Sequence, residues 1–210
     1  NTAIGVESLK DNNIGESNTA IGFSALKKNT SGSQNTGVGS SSLLNNISGI
    51  FNTAIGNTAL LSNTIGNNNT ATGVSSLYNN TIGNNNTATG ASSLLSNITG
   101  NNNTATGIYA LTTNLSGSGN TATGRGSLNG NTIGNNNTAN GANTLSSNAD
   151  GNFNVAIGFT SMLTNTSGSN NVATGTSSLY LNTIGNFNTS YGTTSLLNNT
   201  TGNANTAIGS

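Results

Sequence analysis

The stretch Asn69-Thr70-Ala71-Thr72-Gly73 recurs letter for letter at residues 86–90, 103–107 and 120–124, always 17 residues apart. With Ile in the fourth place, the same motif stands at residues 1–5, 18–22, 52–56 and 205–209. A short repeat of fixed period is typical of a solenoid, in which each unit contacts only its neighbours. We number the places of the unit from its first Asn. Twelve full units then fill residues 1–204, and a partial thirteenth follows.

Five places of the unit are nearly constant. Places one and twelve are always Asn, places five and fifteen are always Gly, and place nine is Leu except at Met162. Glycine marks backbone that needs a positive φ or a close approach, which predicts two corners of a flattened coil, represented by Gly73, Gly90, Gly83 and Gly100. Identical amides stacked at strand spacing can bond in a ladder, which predicts ladders through Asn69, Asn86 and Asn103 and through Asn80, Asn97 and Asn114.

The residues before the first Gly of each unit favour a short strand, because they are rich in β-branched side chains. Successive strand residues point to opposite faces, so places two and four share one face and place three has the other. Place three is always small, whereas place four varies as far as Asn140 and Tyr191. We therefore put place three and the Leu of place nine inside, including Leu77, Leu94 and Leu111. The alternative puts place four inside. A second strand is expected at places eight to eleven, for example residues 76–79.

These patterns predict an all-β protein, a parallel β-solenoid or β-roll of about 12 coils of 17 residues. Coils about 4.8 Å apart would make a rod of roughly 55–60 Å. Residues 1–210 form one repeat array in this interpretation. The first and last units carry ordinary motif and no polar cap, so we expect a segment of a longer fibre or rods that join end to end. A disordered low-complexity segment is the competing interpretation, but it gives no reason for Leu to recur at place nine.

The repeated Asn-Thr-Ala-Ile-Gly, followed by a small residue, Leu and a second glycine turn, resembles the Asn-Ser-Val-Ala-Ile-Gly repeat of YadA-like heads of trimeric autotransporter adhesins. Related repeats occur in bacterial surface proteins and phage tail fibres. The resemblance covers every unit of the chain. It implies a trimeric parallel β-roll, located outside the cell or on its surface, that binds host matrix or another surface. Here the unit has 17 residues and Thr2 stands where the family has Val, and we identify no stalk or anchor motif within residues 1–210. We take the winding to be left-handed.

Composition excludes several classes of function. Charged residues are 4% of the chain and its net charge is zero, whereas nucleic-acid binding needs a basic footprint. No apolar run is long enough to span a membrane. His and Cys are absent, and no base stands ready to activate a Ser or Thr, so we predict no enzyme, no metal site and no cofactor. Self-association, as a homotrimer or an end-to-end filament, and contact with a host surface or a glycan are the partners expected.

The outward face of the strands is half apolar and regular. Such surfaces usually find partners, and three chains around an axis would cover this one, so we predict an interface that includes Thr70, Thr72, Thr87 and Thr89. The preferred function is therefore structural, as a cell-surface stalk or adhesin. Thr-x-Thr recurs in four consecutive units, beginning at Thr70. By analogy with ice-binding solenoids, this array indicates ice binding. The alternative function is therefore a glycan- or ice-binding module carried on the same scaffold.

Overall fold

The computed structural model describes all residues from 1 to 210. It contains thirteen β-strands of three residues each and no helix. The strands are Thr2–Ile4 (β1), Thr19–Ile21 (β2), Thr36–Val38 (β3), Thr53–Ile55 (β4), Thr70–Thr72 (β5), Thr87–Thr89 (β6), Thr104–Thr106 (β7), Thr121–Thr123 (β8), Thr138–Asn140 (β9), Val155–Ile157 (β10), Val172–Thr174 (β11), Thr189–Tyr191 (β12) and Thr206–Ile208 (β13).

The strands form one parallel sheet in sequence order, from β1 to β13. The register is constant: Thr70 lies opposite Thr87, and Thr87 lies opposite Thr104, so each strand pairs with the one a repeat later. A parallel sheet in which every consecutive strand is a neighbour requires the chain to complete one turn between strands. The predicted all-β parallel solenoid of 17-residue coils is therefore confirmed. The left-handed winding and the trimer stay predictions.

The core is a narrow stack of small and branched side chains along the rod axis. In β6 the middle residue, Ala88, is fully buried, while Thr87 and Thr89 are exposed. The leucines of place nine are fully buried beside these alanines, Leu77 and Leu94 among them. Places one, eight and twelve are also inside, and they hold Asn, Ser or Ala in nearly every coil. The structure thus has the Ala and Leu places inside and the Thr/Ile face outside, and place four is not in the core.

The prediction of a second strand at places eight to eleven is wrong. Residues 76–79 form a turn, and the residue before them, Ser75, has φ 55°, while Leu77 has φ 51°. A third left-handed residue, Asn85, with φ 56°, closes the coil at place seventeen. This pattern holds in all twelve coils, and only two of these positions are glycine, Gly119 and Gly126. An L-residue in this region loses roughly 1–2 kcal/mol relative to the right-handed region, so neighbouring coils must hold the turn in place.

Hydrogen bonds between coils supply that support. Of 142 backbone–backbone hydrogen bonds, only 24 lie within the strand ladder, so the turns contribute most of the backbone stacking. The N–H of Leu77 donates to the carbonyl of Ser93 at 3.0 Å, and the N–H of Ser92 donates to the carbonyl of Val74 at 3.0 Å. From coil 2 to coil 11, the N–H of every left-handed non-glycine residue at places seven, nine and seventeen is bonded to a neighbouring coil along the rod axis. The coil is a stack of turns joined by a narrow sheet.

Glycine is required at places five and fifteen for two different reasons. Gly73 has φ +131°, and a Cβ built on it would lie 2.7 Å from the carbonyl carbon of Gly90 in the next coil. Gly83 has no positive φ. A Cβ on Gly83 would instead collide with the carbonyl of Gly100 and with the side chains of Asn80 and Asn97. The first corner needs glycine for its conformation and its close stacking, and the second needs it for space alone.

Candidate interaction surfaces

The chain has few ionisable side chains, and they stand mostly apart from one another. No group of three Asp, Glu, His or Cys side chains converges anywhere in the structure. The only ion pairs join the carboxylate of Glu7 to the ammonium groups of Lys10, at 2.9 Å, and Lys27, at 2.6 Å. The hydrogen bond from Lys10, followed by that from Lys27, lowers the pKa of Glu7 to about 2. The same bond raises the pKa of Lys10. This cluster links the outside of coil 1 to coil 2.

The first asparagine ladder runs through place one. The side-chain Nδ2 of Asn86 donates to the carbonyl of Gly100 at 2.8 Å and to Oδ1 of Asn69 at 3.2 Å. Its backbone N–H donates to the same Oδ1 at 3.0 Å. The Oδ1 of Asn86 accepts the two equivalent bonds from Asn103. Each amide therefore closes its own coil and bonds to the coils on both sides of it.

The second asparagine ladder runs through place twelve. The Nδ2 of Asn97 donates to the carbonyl of Gly100 at 3.0 Å and to Oδ1 of Asn80 at 2.8 Å. Asn114 then donates to Oδ1 of Asn97 at 2.8 Å. The carbonyl of Gly100 thus accepts from both ladders, which explains why no side chain fits at place fifteen. No buried side-chain nitrogen or oxygen in the chain lacks a hydrogen-bond partner, and the predicted asparagine ladder is confirmed.

A third ladder, at place sixteen, escaped the sequence analysis. The backbone N–H of Asn84 donates to Oδ1 of Asn101 at 2.8 Å, and the N–H of Asn101 donates to Oγ of Ser118 at 3.0 Å. The bonds run in the direction opposite to that of place one, from each backbone to the side chain of the following coil. These side chains are half-buried or exposed. The signal in the sequence was the recurrence of Asn or Ser at place sixteen, which looked like ordinary polar composition.

The residues predicted to form an interface lie together on the outer face of the sheet. Thr70 pairs with Thr87 and Thr72 pairs with Thr89 in the parallel register. All four are exposed except Thr72, which is half-buried. Isoleucines extend the same face at place four in other coils: Ile4, Ile21, Ile55, Ile157 and Ile208 are 37–83% exposed. The face is continuous and carries no charged residue, and its role as an interface stays a prediction.

A second apolar surface lies at the turn before the second glycine. Over six consecutive coils, one large aliphatic side chain stands at place thirteen or place fourteen and is 42–51% exposed: Ile47, Ile65, Ile82, Ile98, Leu115 and Ile133. We call this row the turn ridge. No single column of the repeat is apolar here, because the side chain alternates between two adjacent places, and for that reason the periodicity did not reveal it. The strand face is therefore not the only apolar surface along the rod.

A groove opens on the outside of coils 10–12, where places six, seven, ten and eleven meet. Its volume is about 470 Å³. The aromatic rings of Phe159 and Tyr180 and the side chains of Leu181 and Leu197 form its apolar walls. Three hydroxyls from successive coils lie between them, those of Thr160, Ser177 and Thr194. We call this feature the coil 10–12 groove. The sequence analysis did not find it, because its two aromatic residues stand at different places of different coils.

No helix in the structure has the length and hydropathy that a membrane crossing requires. The comparisons with known proteins add no relative: no family model, no curated protein and no solved structure matches the chain. The resemblance to YadA-like head repeats therefore rests on the repeated motif alone and stays a prediction. What the chain does must be inferred from its surfaces and from the bonds that hold its coils together.

Proposed function

We propose that the chain is a structural rod, a segment of an extracellular fibre or filament that serves as a cell-surface stalk or adhesin. The observation that carries this proposal is the unbroken stacking of the coils, from β1 to β13, with buried amides bonded from each coil to the next. No hinge interrupts the array, since the sheet register is the same at every pair of strands. A rod built this way holds two ends at a fixed separation.

The chemistry of these bonds supports a place outside the cell. The buried bonds join uncharged amides and carbonyls, so the screening that weakens surface ion pairs does not affect them. The chain has neither His nor Cys, so no side chain with an ordinary pKa between 5 and 8 and no thiol takes part in its stability. Stability that changes little with salt, oxidant or moderate pH suits a fibre exposed to variable surroundings.

Self-association through the strand face is part of the proposal. The face is uncharged and half apolar, and three rods packed around an axis would bury it with closed symmetry. Light scattering coupled to size exclusion tests this directly, with three times the chain mass of 20.8 kDa expected for the wild type. The variant Thr87→Lys with Thr104→Lys places charges in the middle of the face and should yield single chains with an unchanged circular dichroism spectrum. A wild type that runs as a single chain would contradict the trimer.

The fibre itself is tested on the source cells. Antibodies raised against the purified chain, detected by immunogold electron microscopy on intact cells, should label filaments outside the cell. Label confined to the cell interior would contradict the extracellular fibre. End-to-end association of rods is the alternative form of self-association, and it would appear in the same images as filaments much longer than the roughly 55–60 Å of one rod.

Binding to ice is a second candidate, favoured by one specific observation. In β5 to β8 both outward places of each strand are Thr, so eight hydroxyls and eight methyls form a two-by-four array in register. The array has a spacing of about 4.8 Å between coils and roughly 6.6 Å along each strand. Thermal hysteresis of the purified chain tests this candidate. Activity should vanish in Thr104→Lys and persist in Thr189→Lys, which lies outside the array, and a wild type without activity would contradict it.

A further inference from the structure

We propose that the coil 10–12 groove binds an uncharged carbohydrate chain, with Phe159 and Tyr180 as stacking platforms. This site goes beyond the structural rod proposed above and depends only on the fold of coils 10–12. The groove has a volume of about 470 Å³, which lies within the range of roughly 300–1,000 Å³ found for ligand sites. Its apolar walls and its row of hydroxyls give it two kinds of surface, side by side.

The composition of the groove is found at one place along the rod. Phe159 at place six is 55% exposed, and Tyr180 and Leu197 at place ten are half-buried opposite it. Coil 2 also has an aromatic side chain at place six, Phe23, but place ten of that coil is Lys27, which pairs with Glu7. An aromatic residue at place six and large apolar residues at place ten therefore come together without charge in coils 10–12.

The floor of the groove consists of hydroxyls from place seven. Oγ1 of Thr160 lies 3.0 Å from Oγ of Ser177 and donates to the carbonyl of Phe159 at 2.8 Å. Since Thr160 has one proton, Ser177 donates to Thr160 whenever Thr160 donates to that carbonyl. Thr194 continues the row one repeat further on and is exposed. The row presents acceptor oxygens at the spacing of the coils, about 4.8 Å.

The absence of charge determines the class of ligand. Residues 151–210 contain no Lys, Arg, Asp or Glu, so this end of the rod has no group that could pair with a phosphate, a sulfate or a carboxylate. Nucleic acids and acidic polysaccharides depend on such pairs for their affinity. The ligand must combine an apolar face with neutral hydrogen-bonding groups.

The backbone argues against an extended peptide. Peptides usually add to a sheet through the free N–H and C=O groups of an edge strand. In this groove the N–H groups of Thr160, Ser177 and Thr194 are already bonded to carbonyls of the preceding coil, at 3.1, 3.0 and 2.9 Å. The N–H groups that a peptide strand would pair with are therefore already used, and side chains supply the donors of the groove. A pyranose ring offers a C–H face that can lie on an aromatic ring and a rim of hydroxyls that can bond to Thr and Ser.

The direction of the groove favours a chain over a single sugar. Its walls come from three successive coils, so it runs along the rod, and successive sugar units of a linear polysaccharide would meet equivalent hydroxyls in successive coils. One such site is expected to be weak. A fibre that displays many copies would bind a polysaccharide surface much more tightly than one rod does, because linked sites raise the effective concentration.

The experiment uses the full chain and four uncharged hexasaccharides, those of the cellulose, chitin, xylan and starch series. Isothermal titration calorimetry should detect binding of at least one of them by the wild type. Replacing both platforms, Phe159→Ala with Tyr180→Ala, should weaken that binding at least tenfold. The matched control replaces exposed aromatics outside the groove, Phe23→Ala with Tyr109→Ala, and should leave the affinity unchanged.

A third variant separates the binding role from folding. Thr194→Val keeps the shape of the side chain and removes its hydroxyl, so it should weaken binding about threefold while the thermal midpoint stays that of the wild type. The proposal is overturned by failure of all four sugars to bind, by undiminished binding in the platform variant, or by equal loss in the control. Preferential binding of an anionic polysaccharide such as heparin would also overturn it. None of these results depends on whether the rod belongs to a fibre.

Discussion

The buried asparagine columns, at places one and twelve, and the outer column, at place sixteen, make similar hydrogen bonds but differ in how far their residues vary. At places one and twelve every coil has Asn, without exception. At place sixteen the same kind of inter-coil bond is made by Asn84 and Asn135, yet the column also holds Ser118, Ile50 and Glu16. The hydrogen-bond lengths are nearly equal, at 2.8–3.2 Å for the bonds of Asn86 and Asn84.

Burial explains the difference. An unbonded carbonyl or N–H at place sixteen turns to water, whereas one at place one or twelve has no water to replace its partner. Leaving a buried polar group without a partner costs about 1–3 kcal/mol, and replacing one bond to protein with one to water costs far less. The comparison shows that the buried residues determine the repeat. The outward places are free to vary, and the strand face, the turn ridge and the coil 10–12 groove arise from that freedom.

The largest effect is expected where both buried ladders meet. Gly83→Ala would put a Cβ 2.8 Å from Nδ2 of Asn97 and against the carbonyl of Gly100. Because backbone is one of the groups in the way, relaxation means separating two coils, and we expect a loss of at least about 3 kcal/mol in unfolding free energy. Urea denaturation followed by circular dichroism measures it. As a control, Gly119→Asn installs the residue found at place seventeen in Asn85 and should change the free energy by less than about 0.5 kcal/mol.

The next effect tests the apolar part of the interior. Leu77→Ala leaves a cavity in the file of buried leucines, and we expect it to lower the unfolding free energy by about 2–5 kcal/mol. Leu95 at place ten is half-buried on the outside. Leu95→Ala should lower the free energy by only about 1 kcal/mol. Equal losses in the two variants would contradict the assignment of place nine to the core.

The same substitution, Asn to Ser, made once in a buried ladder and once in the outer ladder tests the comparison directly. Asn80→Ser leaves Oδ1 of Asn63, the Nδ2 of Asn97 and the carbonyl of Gly83 each short of a bond. We expect a loss of about 1–3 kcal/mol in unfolding free energy. Asn84→Ser repeats the change that Ser118 already represents at place sixteen, and it should cost less than about 0.5 kcal/mol. Thermal and urea unfolding of the pair would contradict the burial argument if both variants lost the same amount.

The smallest effect belongs to the outer ion pairs. The pKa of Glu7 is lowered from 4.5 to about 2 by Lys10 and Lys27. A carboxyl with a lowered pKa in the folded state stabilises the fold fully above pH 4.5, and that contribution is lost as the pH falls toward 2. The difference in urea midpoint between the wild type and Glu7→Gln should therefore be constant near neutral pH and shrink between pH 4.5 and pH 2. A difference that grows in that window would contradict the sign of the shift.

The features that could be predicted from the sequence are those shared by every repeat. The coil length, the parallel register, the buried Ala and Leu and the amide ladder all follow from columns that are constant or nearly constant in twelve units. It did not predict the turn from Ser75 to Leu77, since Leu and Ser rarely adopt φ near 50° on their own and hydrogen bonds from the neighbouring coil impose it. For the same reason residues 76–79 could not be told from a strand by their own sequence.

The surfaces were harder to predict than the interior. The turn ridge is made by Ile82 at place fourteen and Ile98 at place thirteen, so no column shows it. The groove joins Phe159, Tyr180 and Leu197 from three different coils, and only their registration along the axis makes them one site. Column analysis finds what all coils share. It does not find a feature that depends on one particular combination of variable places.

The stacking of 17-residue coils is tested most directly by deleting whole and incomplete repeats. Removal of residues 86–102 takes out one coil and joins equivalent places, so both buried ladders and the file of leucines continue without a break. We predict cooperative unfolding with a thermal midpoint within about 5 °C of the wild type. Removal of residues 86–101 shifts every following column by one place, and we predict that the residues after the deletion lose their protection from hydrogen exchange. Equal stability of the two deletions would contradict the account.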